Sequence, residues 1–280
     1  METLVILVVL GSAVLHAVWN AIIKSGPDKL VETSMKACGG GLAACLMLPF
    51  VPLPPPEARI CLGLTMCIHL VYYLFIAFAY KGSDMSYAYT IMRGSAPLFT
   101  ALVSVFILRE ALSFSGWAGV LALSSGVLIL ALDAARRDGF SRSATALALG
   151  NAAMIMAYTV VDGHGVRYAQ TALSYICWAF FLNAFPITLF CLGARGVSAW
   201  KGYIGQRWRY GLFGGLCSFV AYGLALWGMT KAPISSVAAL RETSVVFGML
   251  FAVLFLKETI TPVRIAAVLL VLAGAVMMRF

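Results

Sequence analysis

Residues 91–110 read IMRGSAPLFTALVSVFILRE, and residues 239–258 read ALRETSVVFGMLFAVLFLKE. When the second stretch is laid on the first, Arg241 falls on Arg93. In both stretches a basic residue lies well inside an apolar segment, and an acid near the end introduces another apolar segment. This repeat indicates a chain of two related halves, each with one arginine deep in an apolar helix, and favours a carrier with a central site between the halves.

The composition places the chain in a lipid bilayer. Sixty-two per cent of the 280 residues are hydrophobic and 11% are charged, whereas soluble domains carry about 25% charged residues. In a bilayer every backbone polar group has to be paired internally, which permits helices or a closed barrel. The apolar runs are about 20 residues long and do not alternate in polarity, so they predict helices.

The apolar runs form ten segments, which polar or Pro/Gly-containing stretches separate. The longest polar stretch, the connector 133–143, divides the chain into units 1–132 and 144–280. Each unit holds five segments, and because five is odd, the second unit enters the membrane from the opposite side. We therefore predict an all-α membrane protein with ten transmembrane helices in two inverted five-helix repeats. The ten segments are 3–23, 34–51, 60–80, 85–108, 112–132, 144–161, 173–193, 210–230, 234–256 and 261–279.

Several classes of function are disfavoured by the residue pattern. The seven cysteines lie inside apolar runs without a C-x-x-C pair, so we expect neither disulfides nor a metal site. The net charge of +9 comes from loop lysines and arginines, with no basic stripe alternating with aromatics, so nucleic acid is not an expected partner. The first segment lacks a positively charged leader and is read as a retained span.

The two equivalent arginines are the leading site candidates, because a charge near the bilayer centre costs at least about 2.5–3.5 kcal/mol. Arg93 lies roughly 12 Å into its segment, close to the middle of a hydrocarbon core about 30 Å thick. Arg241 reaches a similar depth from the opposite surface. Two interpretations stay open: the arginines bind an anionic group, or each pairs with a protein acid or with helix carbonyls. Glu242 is a possible acidic partner and is itself ionisable.

Other polar residues recur along single helix faces inside the apolar segments. Ser12, His16 and Asn20 recur every four residues and lie on one face, and His16 could take part in proton coupling. Asp162 lies near the expected end of its segment, which favours a solvated terminal acid. We expect the substrate-binding residues to be His16, Trp19, Asn20, Tyr72, Tyr73, Tyr89, Arg93, Asn151, Tyr158, Arg241 and Glu242.

Several short stretches share a further pattern: H-A-V-W-N at 16–20, Y-A-Y-T-I-M-R-G-S-A-P at 87–97, R-E at 109–110, A-Y-T-V-V-D-G at 157–163, R-E-T-S-V at 241–245 and K-E at 257–258. With the repeat, they resemble the EamA-type ten-helix carriers of the drug/metabolite transporter superfamily over essentially the whole chain. The resemblance implies a central cavity lined mainly by spans one, three, four, six, eight and nine, and alternating access driven by an ion gradient or by exchange. It implies no particular substrate.

We therefore expect a secondary active transporter, an exporter or exchanger of a small organic solute. The expected partners are the lipid bilayer, the solute, and H⁺ or a counter-substrate; no cofactor is expected. The expected location is a bacterial inner (plasma) membrane, with the protein integral and multi-pass. A flippase of a lipid-linked substrate is the alternative. An intramembrane enzyme is much less favoured, because the chain has no H-E-x-x-H or G-x-S-x-G motif.

The charge distribution and the resemblance disagree about orientation. With a cytoplasmic N-terminus, five lysines and arginines would lie on the inside and thirteen on the outside. The positive-inside rule therefore favours termini outside the cytoplasm. The resemblance implies cytoplasmic termini, so both orientations stay open at the level of sequence, as does the oligomeric state.

Overall fold

The computed structural model describes residues 2–79, 85–138, 142–248, 250 and 261–277. Within these ranges the protein is helical, apart from short turns and connections, and contains no strand. A single 3₁₀ turn, Leu48–Phe50, follows the second helix. The helices are α1 (Thr3–Ser25), α2 (Lys29–Met47), α3 (Pro56–Ala79), α4 (Met85–Phe106), α5 (Phe114–Asp138), α6 (Arg142–Tyr168), α7 (Ala172–Arg195), α8 (Val197–Met229), α9 (Ile234–Arg241) and α10 (Pro262–Met277).

Six of the described helices, α1, α3, α5, α6, α7 and α8, are long and apolar enough to cross a bilayer. The apolar parts of α4 (Ile91–Phe106) and α10 (Ile265–Met277) are shorter. Helix α2 carries three charges within 19 residues, and α9 ends after eight residues. The structure therefore shows an integral, multi-pass, all-α protein, while the count of ten spans remains a prediction.

Several helix boundaries differ from the sequence prediction. The expected connector 133–143 is largely helical, because α5 continues to Asp138 and α6 begins at Arg142; its alanines and arginines are good helix formers. Helix α8 starts 13 residues before the apolar segment 210–230 and is 33 residues long. The expected continuous span 234–256 is interrupted, because α9 ends at Arg241 and helical backbone resumes only at 244–248.

The helices of the two halves pack in equivalent pairs. Helix α1 of the first half corresponds to α6 of the second half, and α3 corresponds to α8. Helix α1 lies against α8, and in the same way α6 lies against α3. Helix α2 packs on its own counterpart α7, and α5 packs on its own counterpart α10. Exchanging each helix for its counterpart thus reproduces these pairings, as expected for a duplicated fold.

Glycines bring these pairs close together. A Cβ added to Gly126 would lie 2.7 Å from the Ala267 carbonyl oxygen, and one added to Gly274 would lie 2.7 Å from that of Gly119. Gly126 and Gly274 occupy the same position of the repeat. On α2, a Cβ at Gly39 would overlap the backbone of α8. These glycines therefore permit close helix packing, and none of them belongs to the described lining of the cavity below.

Helix α8 gives a scale for depth in the membrane. Its residue Arg207 pairs with Glu32 of α2 at one end of the molecule, and the Met229 carbonyl accepts a hydrogen bond from Arg167 at the other. These two residues are 22 positions apart on one helix, or about 33 Å, which matches a hydrocarbon core of about 30 Å. We call the two ends the Asp28 end and the Glu110 end, after an acid at each.

Candidate functional site

An open cavity lies at the middle of α8, with about 740 Å³ of unfilled space when the adjoining open solvent is included. Ser218, one of its lining residues, is 11 positions from Arg207 and 11 from Met229, so the cavity lies near mid-depth. Helices α2 and α7 contribute to it in addition to the six spans that the resemblance implied. Its lining consists of His16, Trp19, Lys36, Ala37, His69, Tyr72, Tyr73, Arg93, Tyr158, Ala179, Phe180, Asn183, Ala184, Ser218, Tyr222 and Arg241.

Arg93 forms an ion pair across the two halves. Its Nη2 lies 3.0 Å from Oε1 of Glu242, and the two side chains are 6% and 5% exposed. Of the two interpretations left open by the sequence, pairing with a protein acid holds for this arginine. Because both charges are buried, removing either would leave the other without its counter-charge in a region of low dielectric constant.

Both equivalent arginines lie where the helical backbone is irregular. Pro97 has no N–H to donate to the carbonyl of Arg93, four residues earlier on α4. Helix α9 ends at Arg241, and the next two residues form tight turns in which the Glu242 N–H donates to the Ala239 carbonyl at 2.9 Å. Helices interrupted near the bilayer midplane are typical of transporter binding sites, because they present backbone groups and charges to a cavity.

Arg241 differs from Arg93 in its surroundings. Its guanidinium carbon lies 5.0 Å from the centre of the Tyr222 ring, and its Nε has no hydrogen-bond partner among the described residues. The residue is 5% exposed. A cation–π contact with a desolvated ring contributes about 2 kcal/mol, which is less than a buried ion pair would supply. Arg241 therefore lines the cavity with a hydrogen-bond donor, its Nε–H, that has no partner among the described residues.

Lys36 is a second cation with an aromatic partner. It is 9% exposed, and its Nζ lies 4.7 Å from the centre of the Trp19 ring. The acid one turn earlier, Glu32, is bonded to Arg207 and accepts from the Tyr203 hydroxyl at 2.9 Å. A lysine at the bilayer centre costs about 2.5–3.5 kcal/mol, and the Trp19 contact offsets about 2 kcal/mol of this. The expected site residues did not include Lys36, which the charge count placed among the thirteen outside lysines and arginines.

Four rings form one side of the cavity, and we call them the aromatic wall: His69, Tyr72, Tyr158 and Tyr222. The His69 and Tyr158 rings stack with centroids 4.4 Å apart. Tyr72 meets Tyr158 edge-on at 5.7 Å, and Tyr222 meets it at 6.2 Å. Such offset and edge-to-face contacts fix the rings in place, so the wall is a preformed surface for an apolar or flat solute.

A buried carboxylate lies behind this wall. The Tyr222 hydroxyl donates to Oδ2 of Asp162 at 2.6 Å, and the Tyr175 hydroxyl donates to Oδ1 at 2.8 Å. The interpretation of Asp162 as a solvated terminal acid is wrong, because α6 continues to Tyr168 and leaves Asp162 fully buried. The bond from Tyr222 holds that ring in position under Arg241, and the bond from Tyr175 holds the carboxylate.

A much smaller gap, with about 230 Å³ of unfilled space including open solvent, forms a smaller cavity on the other side of the Arg93–Glu242 pair. It is lined by residues that follow Arg93 on α4, among them Thr100, and by Ala238, which precedes Arg241 on α9. Arg93 and Arg241 line both cavities. The layer formed by Arg93, Glu242 and Arg241 therefore separates the larger cavity from the smaller one.

The Glu110 end is closed by a group of hydrogen bonds that we call the Glu110 cluster. Arg167 donates to Glu110 at 2.6 Å, to the Met229 carbonyl at 2.8 Å and to the Ala232 carbonyl at 3.1 Å. The second oxygen of Glu110 accepts from the N–H of Ile234 at 3.0 Å. The cluster joins the end of α6 to the segment after α4 and to the α8–α9 turn.

The amino-acid pattern of a known family matches the chain twice, over residues 3–132 and 142–280. The chain belongs to the EamA-like transporter family. This family is part of the drug/metabolite transporter superfamily, and its members are transporters rather than enzymes. The fold is similar to that of a protein solved by crystallography, with 20% identity, a TM-score of 0.76 and coverage of 99% of this chain and 96% of that one. No curated protein matches the chain in sequence.

The structure of this EamA family member brings seven of the eleven expected site residues to the larger cavity: His16, Trp19, Tyr72, Tyr73, Arg93, Tyr158 and Arg241. Glu242 lines the smaller cavity instead. The side chain of Tyr89 lies outside the part of the protein that the structure describes.

Two expected residues are not in the cavity lining. The Asn20 amide donates to the carbonyl of His16 on its own helix at 2.7 Å. The Asn151 amide contacts the sulfur of Met92 at 3.0 Å and is fully buried. Helix periodicity placed both on a polar stripe, but it could not show which part of the stripe neighbouring helices cover.

Sequence reasoning also left out several residues that line the cavity in this family member. Asn183 is the clearest, since its Oδ1 is buried without a hydrogen-bond partner among the described residues. It is a lone amide within the apolar helix α7, and that isolation was the available signal. The other lining residues left out include Lys36, His69, Phe180, Ser218 and Tyr222.

Proposed function

We propose that this protein is a secondary active transporter of a small organic solute, which it exports or exchanges by alternating access around the larger cavity. The movement of the solute is coupled to H⁺ or to a counter-substrate. The observation that carries the proposal is a mid-depth cavity lined by cations and aromatic rings inside a multi-pass protein of a transporter family. Ionisable groups at this depth are costly unless they face a cavity or a partner, and they commonly mark the pathway of a solute.

The closure at one end supports alternating access. Between the larger cavity and the Glu110 end lie the Arg93–Glu242 pair and the Glu110 cluster. Both consist of ion pairs between different helices, which can be exchanged for contacts with solvent or solute when the halves move. Such two-state contacts are the elements that a conformational switch requires.

The geometry of α4 and α9 supports the inverted repeat. Residues after Arg93 on α4 and a residue before Arg241 on α9 line the same small cavity. The two equivalent helices therefore run past each other in opposite directions, as units 1–132 and 144–280 would if each crossed the membrane five times. In such a fold the two ends of the protein can exchange open and closed arrangements.

Uptake into proteoliposomes tests the proposal. Vesicles containing the purified protein are loaded with a pool of small metabolites, placed in isotope-labelled members of the pool, and assayed with and without a pH gradient. We expect one solute class to accumulate by exchange or with the gradient. Arg241→Met should abolish this accumulation, and the matched variant Arg209→Met, at an exposed position on α8, should retain it. The absence of accumulation for all solutes and gradients would refute the proposal.

A further inference from the structure

We infer that the transported solute is an organic anion, and that Lys36 and Arg241 hold its carboxylate or phosphate group while the aromatic wall holds its body. The inference rests on the proposed function and adds the chemical class of the solute. It also changes which residues matter, because the sequence pointed to the two equivalent arginines. The structure points to one of them together with a lysine that does not belong to the repeat.

The balance of charge around the cavity supports an anion. Three cations line the cavity: Lys36, Arg93 and Arg241. Two carboxylates adjoin it, Glu242 and Asp162, and none is part of its described lining. Among the described residues around the cavity, one positive charge is therefore left without a counter-charge. A solute with one negative charge would supply it.

The two carboxylates already have partners. Glu242 bonds to Arg93 at 3.0 Å, and Asp162 accepts the hydroxyls of Tyr175 and Tyr222. Neither is bonded to Lys36. Among the described residues, the contact that the structure gives to Lys36 Nζ is the Trp19 ring. A compact, desolvated ammonium with three donors is strongly attracted to an anion.

Arg241, at the end of α9, meets the same conditions. Its guanidinium lies over Tyr222, no ion pair with a carboxylate is described for it, and its Nε lacks a hydrogen-bond partner among the described residues. Arginine presents a planar set of donors that matches carboxylate and phosphate oxygens. The stacking on Tyr222 and the bond from Tyr222 to Asp162 orient this set before the solute arrives.

The remaining residues that line the cavity suit the uncharged body of the solute. The aromatic wall and Phe180 offer apolar faces, and Asn183 offers an unused carbonyl oxygen to a hydroxyl or amine of the solute. Binding sites commonly combine an apolar lining with a few placed polar groups. The geometry therefore fits a small molecule with one acidic group at one end and a flat or apolar body.

Sets of matched compounds test the charge requirement. Each set has one body with a carboxylate, a phosphonate, an amide or an amine: phenylacetate, benzylphosphonate, phenylacetamide and phenethylamine, and the corresponding hexyl series. The full-length protein in detergent is heated with each compound at millimolar concentration, and its unfolding temperature is measured. We expect the carboxylate or the phosphonate to raise the unfolding temperature, and the amide and amine of the same body to leave it unchanged.

Variants then assign the two cations. Lys36→Met and Arg241→Met should each weaken binding of the stabilising anion by roughly 10- to 100-fold, since a hydrogen bond to a charged group is lost. Lys36→Arg and Arg241→Lys keep the charge and should recover part of the affinity, which separates loss of charge from loss of fold. The controls Lys201→Met and Arg209→Met lie at exposed positions on α8 and should bind like the unmodified protein.

Several results would overturn the inference while leaving the proposed function intact. One is accumulation of a neutral or cationic solute that survives in both methionine variants. Another is equal stabilisation by the amide or amine, or stabilisation by no anion of either series. Stabilisation by phosphatidylglycerol but by no soluble anion would replace the solute with a lipid headgroup. By contrast, an anion that binds as expected but never crosses the vesicle membrane would remove the proposed function and keep the binding site.

Discussion

Arg93 and Arg241 occupy the same position of the repeat, but the structure gives them different partners. Arg93 lies within the Pro-containing helix α4 and forms a buried ion pair with Glu242. Arg241 ends α9, lies over the Tyr222 ring, and has no carboxylate partner among the described residues. The position equivalent to Glu242 in the first half is Gly94, so only one half supplies an acid.

This difference shows how a duplicated sequence can divide two roles. A single acid can neutralise one of two equivalent cations, and the other cation then keeps its charge for the cavity. The neutralised arginine holds the two halves together, while the other is available to a solute. The comparison predicts that stability depends mainly on Arg93 and solute binding mainly on Arg241, and the following experiments test this in order of expected effect.

The largest effect on stability should come from breaking the buried ion pair. Arg93→Met or Glu242→Leu alone should destabilise the protein by about 3–5 kcal/mol, because each leaves one buried charge without its partner. The double variant should recover most of this loss, since it buries no charge. Unfolding in detergent measures all three. If the single variants were as stable as the unmodified protein, the ion pair would have no structural role.

Arg241→Met should affect stability much less than Arg93→Met. The substitution removes a cation–π contact of about 2 kcal/mol but also removes the cost of a buried charge, so we expect a net change within about 1 kcal/mol. The same detergent unfolding experiment provides the value. A loss as large as that of Arg93→Met would show that the two arginines are structurally equivalent, contrary to our interpretation.

Tyr222→Phe tests how Arg241 is positioned. The variant keeps the ring under Arg241 and removes the hydrogen bond to Asp162, which leaves Tyr175 as that carboxylate's tyrosine partner. We expect destabilisation by about 1–3 kcal/mol, as for other buried polar groups that lose a partner. Binding of the stabilising anion should weaken several-fold. Tyr168→Phe, at an exposed position outside the cavity lining, serves as the control, because no described hydrogen bond involves its hydroxyl.

Arg167→Met should loosen the Glu110 end without changing the cavity. The ion pair with Glu110 is partly exposed, so its contribution is about 1 kcal/mol or less, and two carbonyl partners in the α8–α9 turn are lost as well. We expect faster amide hydrogen exchange in residues 229–234 and unchanged anion binding. Unchanged exchange in this turn would contradict a closing role for the Glu110 cluster.

The smallest effect concerns Asp28, which caps α2 and bonds to Arg195 at 2.6 Å. Burial raises the pKa of Asp28, but Arg195 and two backbone N–H groups of α2 outweigh this and hold the pKa below its ordinary value of 3.8. The resulting stabilisation is present at neutral pH and is lost as the pH falls through the lowered pKa. Asp28→Asn keeps the cap and should lose under about 1 kcal/mol.

That loss should be seen at neutral pH and should disappear once the pH is low enough to protonate Asp28 in the folded protein. Unfolding of Asp28→Asn and of the unmodified protein over the acid range gives the comparison. A difference that persisted at all pH values would assign the effect to capping geometry instead of charge.

The sequence was sufficient for the features that follow from the repeat. It predicted an all-α membrane protein, the family, and a mid-depth location for Arg93 and Arg241, because apolar runs and internal similarity are visible in one chain. It did not show the break after Arg241. Three polar residues follow Arg241, and the Thr243 hydroxyl donates to the Leu240 carbonyl at 2.7 Å in the turn. The apolar run that begins at Val245 nevertheless indicated one continuous span.

The site residues were harder to predict from the sequence, because their positions depend on tertiary contacts. Lys36 is close enough to the start of α2 to be taken for a membrane-edge charge, and only packing against Trp19 shows that it turns inward. Asp162 was judged from a segment boundary that the helix exceeds. Asn151 lies on the expected face of α6, but α4 covers that part of the face. Each error concerns tertiary contact, which helix periodicity does not contain.

The most direct test compares anion binding by a variant that lacks the Arg93–Glu242 ion pair with binding by a variant that lacks Arg241. The stabilising carboxylate is titrated against the Arg93→Met/Glu242→Leu double variant and against Arg241→Met, with the change in unfolding temperature as the measurement. The account predicts that the double variant still responds to the anion and that Arg241→Met does not. A response that is lost in the double variant but retained in Arg241→Met would contradict the division of roles between the two arginines.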